Sequence, residues 1–144
     1  MGTATMGKVR VAARIENLED VLRCARGEIA VTAIRSVEVT DALVDTGAVF
    51  LSAPRRIIDS LGLTPLRSRS MRTTNGVFQR TIFASARLTI DGRDANCDVA
   101  ELPEDCPVLI GQIPLEGLDF VVDPTQRRLI GNPAHGGAQM YDLY

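Results

Sequence analysis

One ionisable residue stands out by its position. Asp45 ends an apolar run, Ala42-Leu43-Val44, and is followed by Thr46, Gly47 and Ala48. A carboxylate at the end of a buried strand is costly to desolvate, so it requires a partner or a chemical task. The chemistry open to a carboxylate so placed is proton transfer. The same tripeptide also suits an ordinary turn, where Asp, Thr and Gly are common. The sequence holds no rival catalytic centre: it has no zinc spacing, Cys/His pair, serine elbow or phosphate-binding glycine loop.

The elements that must position Asp45 read as short strands. Val9, Val11, Ala13 and Ile15 alternate with polar or small residues, the two-residue period of a half-buried strand. Residues 17–26 fit a loop or a short helical turn equally well. Ile29, Val31 and Ala33, then Val37 and Val39, continue an alternating pattern broken near Arg35-Ser36. Thr40-Asp41 reads as a turn, and Ala42 to Val44 as the strand that delivers Asp45. Residues 54–61 fit a helix with Pro54 in its first turn, Ile57, Ile58 and Leu61 on one face, and Gly62 as its left-handed stop. Asn75-Gly76 and Asp91-Gly92 suit the tight turns of two hairpins. Phe120-Val121-Val122 and Arg128-Leu129-Ile130 flank a further turn at Asp123-Pro124. The tally is about eight strands and two short helices, which favours a closed or folded-over β architecture.

Length and composition narrow the field. The chain has 144 residues, enough for one domain with a real core, and a net charge of −2 with both signs scattered. Nothing in that charge pattern marks a nucleic-acid stripe or a polybasic membrane patch. No apolar run approaches the roughly 20 residues of a membrane span. Met1 to Lys8 lacks the apolar core of a signal peptide, and Met6 stands where a myristoylation motif needs Ser or Thr. Cys24, Cys97 and Cys106 form no metal spacing and leave an odd count, which reads as reduced thiols in a cytoplasmic protein. A Cys97–Cys106 bridge is the alternative. His135, the single histidine, sits in a Pro-Ala-His-Gly-Gly tail with no neighbouring ligand and reads as solvated.

Leu43-Val44-Asp45-Thr46-Gly47-Ala48 resembles the active-site signature of retropepsin-like (retroviral-type) aspartic proteases. In that family two apolar residues precede Asp-Thr/Ser-Gly, and alanine usually follows. A second apolar-apolar-Gly followed by a short helix is also part of the pattern, and Val108-Leu109-Ile110-Gly111 leading into 112–118 has that form. The resemblance spans residues 28 to 131. It implies a mostly β, closed-barrel acid-protease fold with one or two short helices, and a division into a flexible N-terminus (1–7), a protease domain (8–131) and a C-terminal tail (132–144). Implied too is an aspartic endopeptidase in which Asp45 is catalytic and Thr46, Gly47 and Ala48 form its loop. Leu109, Ile110 and Gly111 would support that loop from the second half. Thr74, Asn75, Gly76 and Val77 would form a flap over substrate.

The implied mechanism uses two carboxylates that share one proton, because like charges about 3 Å apart cannot both ionise. One acts as base on a water between them while the other protonates the scissile carbonyl oxygen. This chain carries a single Asp-Thr-Gly, so a working dyad requires Asp45 from two chains across a twofold axis. The expected partners are a second copy and a polypeptide substrate; no cofactor, metal, nucleic acid or membrane is implied. By family analogy Thr46 hydrogen-bonds across the dimer. Ala48, where pepsin-like members often carry a hydroxyl, should leave the dyad less acidic, for a mildly acidic to near-neutral optimum. Val49 and Phe50 replace the acidic residues common in viral members, so substrate subsites do not carry over. Two other readings remain open at the level of sequence: a catalytically silent dimeric β module binding extended peptides, and an unrelated monomeric β scaffold.

Overall fold

The computed structural model describes residues 8–143; the expected flexible N-terminus at 1–7 lies outside them. In chain order the elements are β1 (Val9–Asn17), α1 (Leu18–Ala25), β2 (Ser36–Val44), β3 (Leu51–Pro54), α2 (Arg55–Leu61), β4 (Thr64–Thr73), β5 (Gly76–Ile90), β6 (Arg93–Leu102), β7 (Leu109–Ile110), α3 (Gln112–Leu118), β8 (Phe120–Asp123) and β9 (Arg128–Gly131). Short 3-10 turns at Val31–Ala33 and Pro133–His135 complete the description. Strand dominates, as expected.

The main sheet has the order β1-β2-β7-β3-β6-β5-β4, and β1 pairs again with β5. That extra pairing, Arg14 to Asn17 against Ala86 to Thr89, closes the sheet into a ring of six strands. Of this sheet's strands only β4 stands outside the ring, paired on one side to β5, while β8 and β9 pair with each other in a separate antiparallel sheet. Inward positions fill the ring: Ile15, Leu51, Phe83, Leu88 and Ile110 are fully buried, with Ile58, Leu61, Leu115 and Leu118 from the helices. Burying these side chains is the main favourable term in folding. Buried Glu16 is met by the Arg87 guanidinium at 2.8 Å. Asp20 in α1 is met by Arg35, which donates Nε at 2.8 Å and Nη2 at 3.0 Å to its two oxygens.

Local chemistry explains where the elements depart from expectation. Residues 18–25 are helical because the Asn17 side chain accepts the Asp20 N–H, an N-cap that resolves the choice between loop and turn. Three α-helices result where one or two were expected. The alternating pattern at 29–33 is a 3-10 turn, and β2 begins only at Ser36. Thr40-Asp41 is no chain reversal. Val11 pairs with Ala42 and Ala13 with Val39, so β2 places two residues opposite Ala12, a β-bulge that bends the strand just before Asp45. Pro54 caps α2 rather than lying within it, and Gly62 ends the helix at φ +65°.

The two hairpins divide on turn chemistry. Asp91 and Gly92 both take positive φ (49° and 79°), as the sequence required of a tight turn. In the longer hairpin Thr73 pairs with Gly76, which makes Thr74-Asn75 the central residues instead of Asn75-Gly76. The cause is Thr73 Oγ1, which accepts the Asn75 N–H at 3.0 Å and stabilises a turn one residue earlier. Gly76 alone takes positive φ there.

Candidate active site

Asp45 is delivered by a pair of parallel strands. β2 and β7 lie side by side, with Leu43 against Leu109 and Val44 against Ile110. The Leu43 N–H donates to Val108 O at 2.8 Å, and the Asp45 N–H to Ile110 O at 3.0 Å, so the two chain halves are stitched up to Asp45 itself. Beyond it the backbone turns at once: Ala48 N–H donates to Asp45 O, and Gly47 N–H donates to Asp45 Oδ1 at 2.9 Å. That bond fixes the carboxyl orientation. The side chain is half-buried, and Oδ2 has no hydrogen-bond partner among the described residues.

A second loop holds the first. Gly111, Gln112 and Ile113 donate their N–H groups to the carbonyls of Phe50 (3.0 Å), Ala48 (2.9 Å) and Val49 (2.9 Å). The free donors at the start of α3 are thereby satisfied by the loop carrying Asp45, which helix ends require. Gly111 is the pivot. A Cβ there would lie 2.6 Å from Phe50 O and 2.7 Å from the Val49 carbonyl carbon, so only glycine lets the backbones approach. Of the sequence-derived site residues, the fold thus brings Asp45 to Ala48 together with Leu109 to Gly111. Thr46 and Gly47 are exposed beside the carboxyl. Thr74, Asn75, Gly76 and Val77 form the exposed tip of the β4–β5 hairpin, whose side-chain hydrogen bonds stay within it. Val49 and Ile113 expose apolar surface next to Asp45, about half of each side chain.

Two clusters escaped the sequence reading. His135 is held, not solvated: Nδ1 lies 2.7 Å from Asp119 Oδ2 and Nε2 lies 3.3 Å from Asp142 Oδ2. Asp119, at the C-cap of α3, also accepts Asn132 Nδ2 and the Met140 N–H. The tail after β9 is therefore docked through this buried carboxylate, along with Arg93, which donates to Gly137 O, and Gln139 and Tyr141, which both donate to Gly117 O. The bond between Asp119 and His135 holds the Asp119 pKa down and pushes that of His135 up. Nothing near either residue in sequence signals a partner sixteen positions away. The second cluster gathers Arg67, Arg69 and Arg80 on one face of the hairpin, a local excess that scattered signs conceal; the two-residue spacing of 67 and 69 was its one available signal. Cys24, Cys97 and Cys106 are all free thiols, so the Cys97–Cys106 bridge does not form. Among the described residues no group of side chains is arranged to hold a metal ion, and no helix is long and apolar enough to cross a membrane.

With strands, loops and carboxylate in place, comparison with known proteins assigns the class. The family model for aspartyl protease matches residues 30–130, and the chain belongs to that family. Both apolar-apolar-Gly segments fall inside the match, which bears out the retropepsin-like resemblance at the level of family. Among solved structures the chain is similar to the solution structure of simian foamy virus (mac) protease, at 17% identity and a TM-score of 0.45, over 74% of this chain and 91% of that one. No curated protein matches the sequence.

Proposed function

We propose that the chain is an aspartic endopeptidase whose catalytic dyad forms between two subunits, each contributing Asp45. The observation that carries the reading is the asymmetry of the two stitched loops. One presents a half-buried carboxyl with a free oxygen, while its counterpart at Gly111 presents no acid. A second carboxylate must therefore come from another copy, and the exposed Val49 and Ile113 beside Asp45 offer apolar surface for that contact. In the dimer one Asp45 would take the proton of a bound water while the other protonates the scissile carbonyl oxygen. Thr46 would bridge the two loops, and the hairpin tip at 74–77 would cover substrate. The protease domain would run from residue 8 to 131, and three free thiols suit a reducing compartment such as the cytoplasm.

The test combines sedimentation with cleavage of a peptide library by the native protein and by Asp45→Asn. A dimer that cuts, with the variant silent, is the expected result. Equal cleavage by both, or none from pH 3 to 8, would overturn it. The unpaired outer side of β4 favours the other reading, a silent module that binds extended peptides by strand addition. Selective peptide binding by the native protein with no turnover would be its mark.

A further inference from the structure

The β4–β5 hairpin carries a charge arrangement that its own fold does not need. Arg69 and Arg80 are directly opposite each other in the ladder, and Arg67 shares their face two residues on. Like charges facing across a strand pair weaken it. Among the described residues neither Arg69 nor Arg80 has a carboxylate within ion-pair distance: each donates only to a neighbouring carbonyl, Ser68 O and Gln79 O. Arg67 reaches Asp98 only at 3.9 Å. Arg80 is half-buried, and its guanidinium is held 5.2 Å from the centre of the Phe78 ring, so its direction is set before any ligand arrives. It lines a cavity of about 230 Å³ between the hairpin and the end of β6, with Gln79, Thr81, Leu102 and Pro103. Glu101 on the far wall meets Arg55 only at 3.8 Å, since that guanidinium is bonded to Asp59 at 2.8 Å, so Glu101 is a competing carboxylate that an acidic ligand at Arg80 has to displace or avoid.

Two further features say what kind of anion fits. β4 is the free edge of the main sheet, ten residues long, and offers unpaired backbone donors and acceptors to an extended chain. The hairpin also springs from the same closed sheet that carries Asp45. Across β1, which pairs with both, β5 and β2 are two strand spacings apart, about 10 Å, while the arm from Ile82 to its tip extends about 20 Å. A polypeptide seated at Asp45 thus lies within the arm's reach. We propose that this hairpin is a cationic recognition arm that selects substrates bearing Asp or Glu next to the bond to be cut, with Arg69 and Arg80 as the carboxylate-binding pair. The proposal rests on the protease reading for its bond cleavage and on the arm alone for its selectivity.

The experiment separates the two. Three labelled dodecapeptides share one apolar centre and carry Glu, Gln or Lys flanks; binding is read by fluorescence anisotropy on Asp45→Asn dimers and cleavage on the native protein. The Glu peptide is expected to bind about tenfold tighter than the Gln peptide at low salt, with the difference lost near 0.5 M salt. Arg69→Gln with Arg80→Gln should abolish the preference, and Arg→Lys at both positions should restore most of it. Equal binding of Glu and Gln peptides overturns the proposal, as does displacement of the Glu peptide by a single-stranded oligonucleotide at lower concentration. Native protein that cuts both peptides with equal kcat/KM leaves an unselective protease and also overturns it. Selective binding without cleavage supports the arm and removes the protease reading.

Discussion

Gly111 donates its N–H to the carbonyl of Phe50 at 3.0 Å, and that oxygen lies 2.6 Å from where a Cβ on residue 111 would stand. The hydrogen bond and the steric limit are one relationship: the loop bearing Asp45 is held by a backbone approach that no side chain permits. Gly111→Ala is therefore expected to push the two loops apart. The cost should be about 1–3 kcal/mol in unfolding free energy, as for other overpacked positions. Peptide cleavage should fall further than stability, because a misplacement near 1 Å costs about 100-fold in a positioned reaction. Thermal unfolding and kcat/KM, measured together, check both.

Asp45→Asn should preserve the fold, since an amide oxygen still accepts the Gly47 N–H. Turnover should drop by roughly 10²–10⁴ with the loss of proton transfer. Ala48 brings no hydroxyl to the carboxyl, and the native pH profile should peak from mildly acidic to near-neutral values. A peak near pH 2 would contradict that.

The docked tail should respond to pH on both sides. His135 titrates above its ordinary 6.5 because Asp119 and then Asp142 bind its ring, so its contribution is whole below about pH 6.5 and is lost as pH rises through the raised value. Asp119 titrates below 3.8, chiefly through His135, so its contribution is present above about pH 4 and is lost as pH falls through the lowered value. The tail is expected to be most firmly seated between about pH 4 and pH 6.5. An NMR titration of the single histidine checks this: its midpoint should lie above 6.5, and Asp119→Asn should bring it back.

Asp20 is buried, and its carboxylate accepts three hydrogen bonds from Arg35, one from the backbone and two from the guanidinium. Arg35→Ala strips two of them and should cost about 2 kcal/mol of stability. The Arg35 bonds hold the Asp20 pKa below 3.8, so native stability from this pair is present above that value and is lost as pH falls through the lowered one. Urea unfolding of native and variant proteins at pH 7 and pH 3 should show the gap narrowing at the lower pH.

Burial pushes the Cys97 thiol up to about 12, whereas Cys24 and Cys106 are partly exposed. At pH 8 a thiol reagent should therefore titrate two groups in the native protein and the third only in denaturant. Immediate reaction of all three would mean that β6 opens readily.

What could be read from sequence follows the range of the deciding interaction. Asp91-Gly92 made its turn because both residues carry their preference within themselves. Asn75-Gly76 lost its turn to the hydroxyl of Thr73, a competitor the dipeptide does not reveal. Thr40-Asp41 looked like a reversal because turn residues also fill bulges, and only the pairing of β2 with β1 separates the two. Asp45 and Gly111 were legible because each ends an apolar run, and the two runs together match a family's sequence pattern. His135 was not legible, since its partner is brought to it by α3, β8 and β9 together. The arginine face of the hairpin depends on the register of β4 with β5, which composition averages away.

The ring of strands closes through β1 and β5 and takes nothing from β4. Ladder irregularities between Pro65 and Arg67 and between Phe83 and Ala86 mark where the arm leaves it. Ring and arm are thus separable parts of one sheet. A change of length or charge confined to the arm would leave every pairing of the ring in place, so the barrel is expected to tolerate variation there that it would not tolerate in β1 or β5.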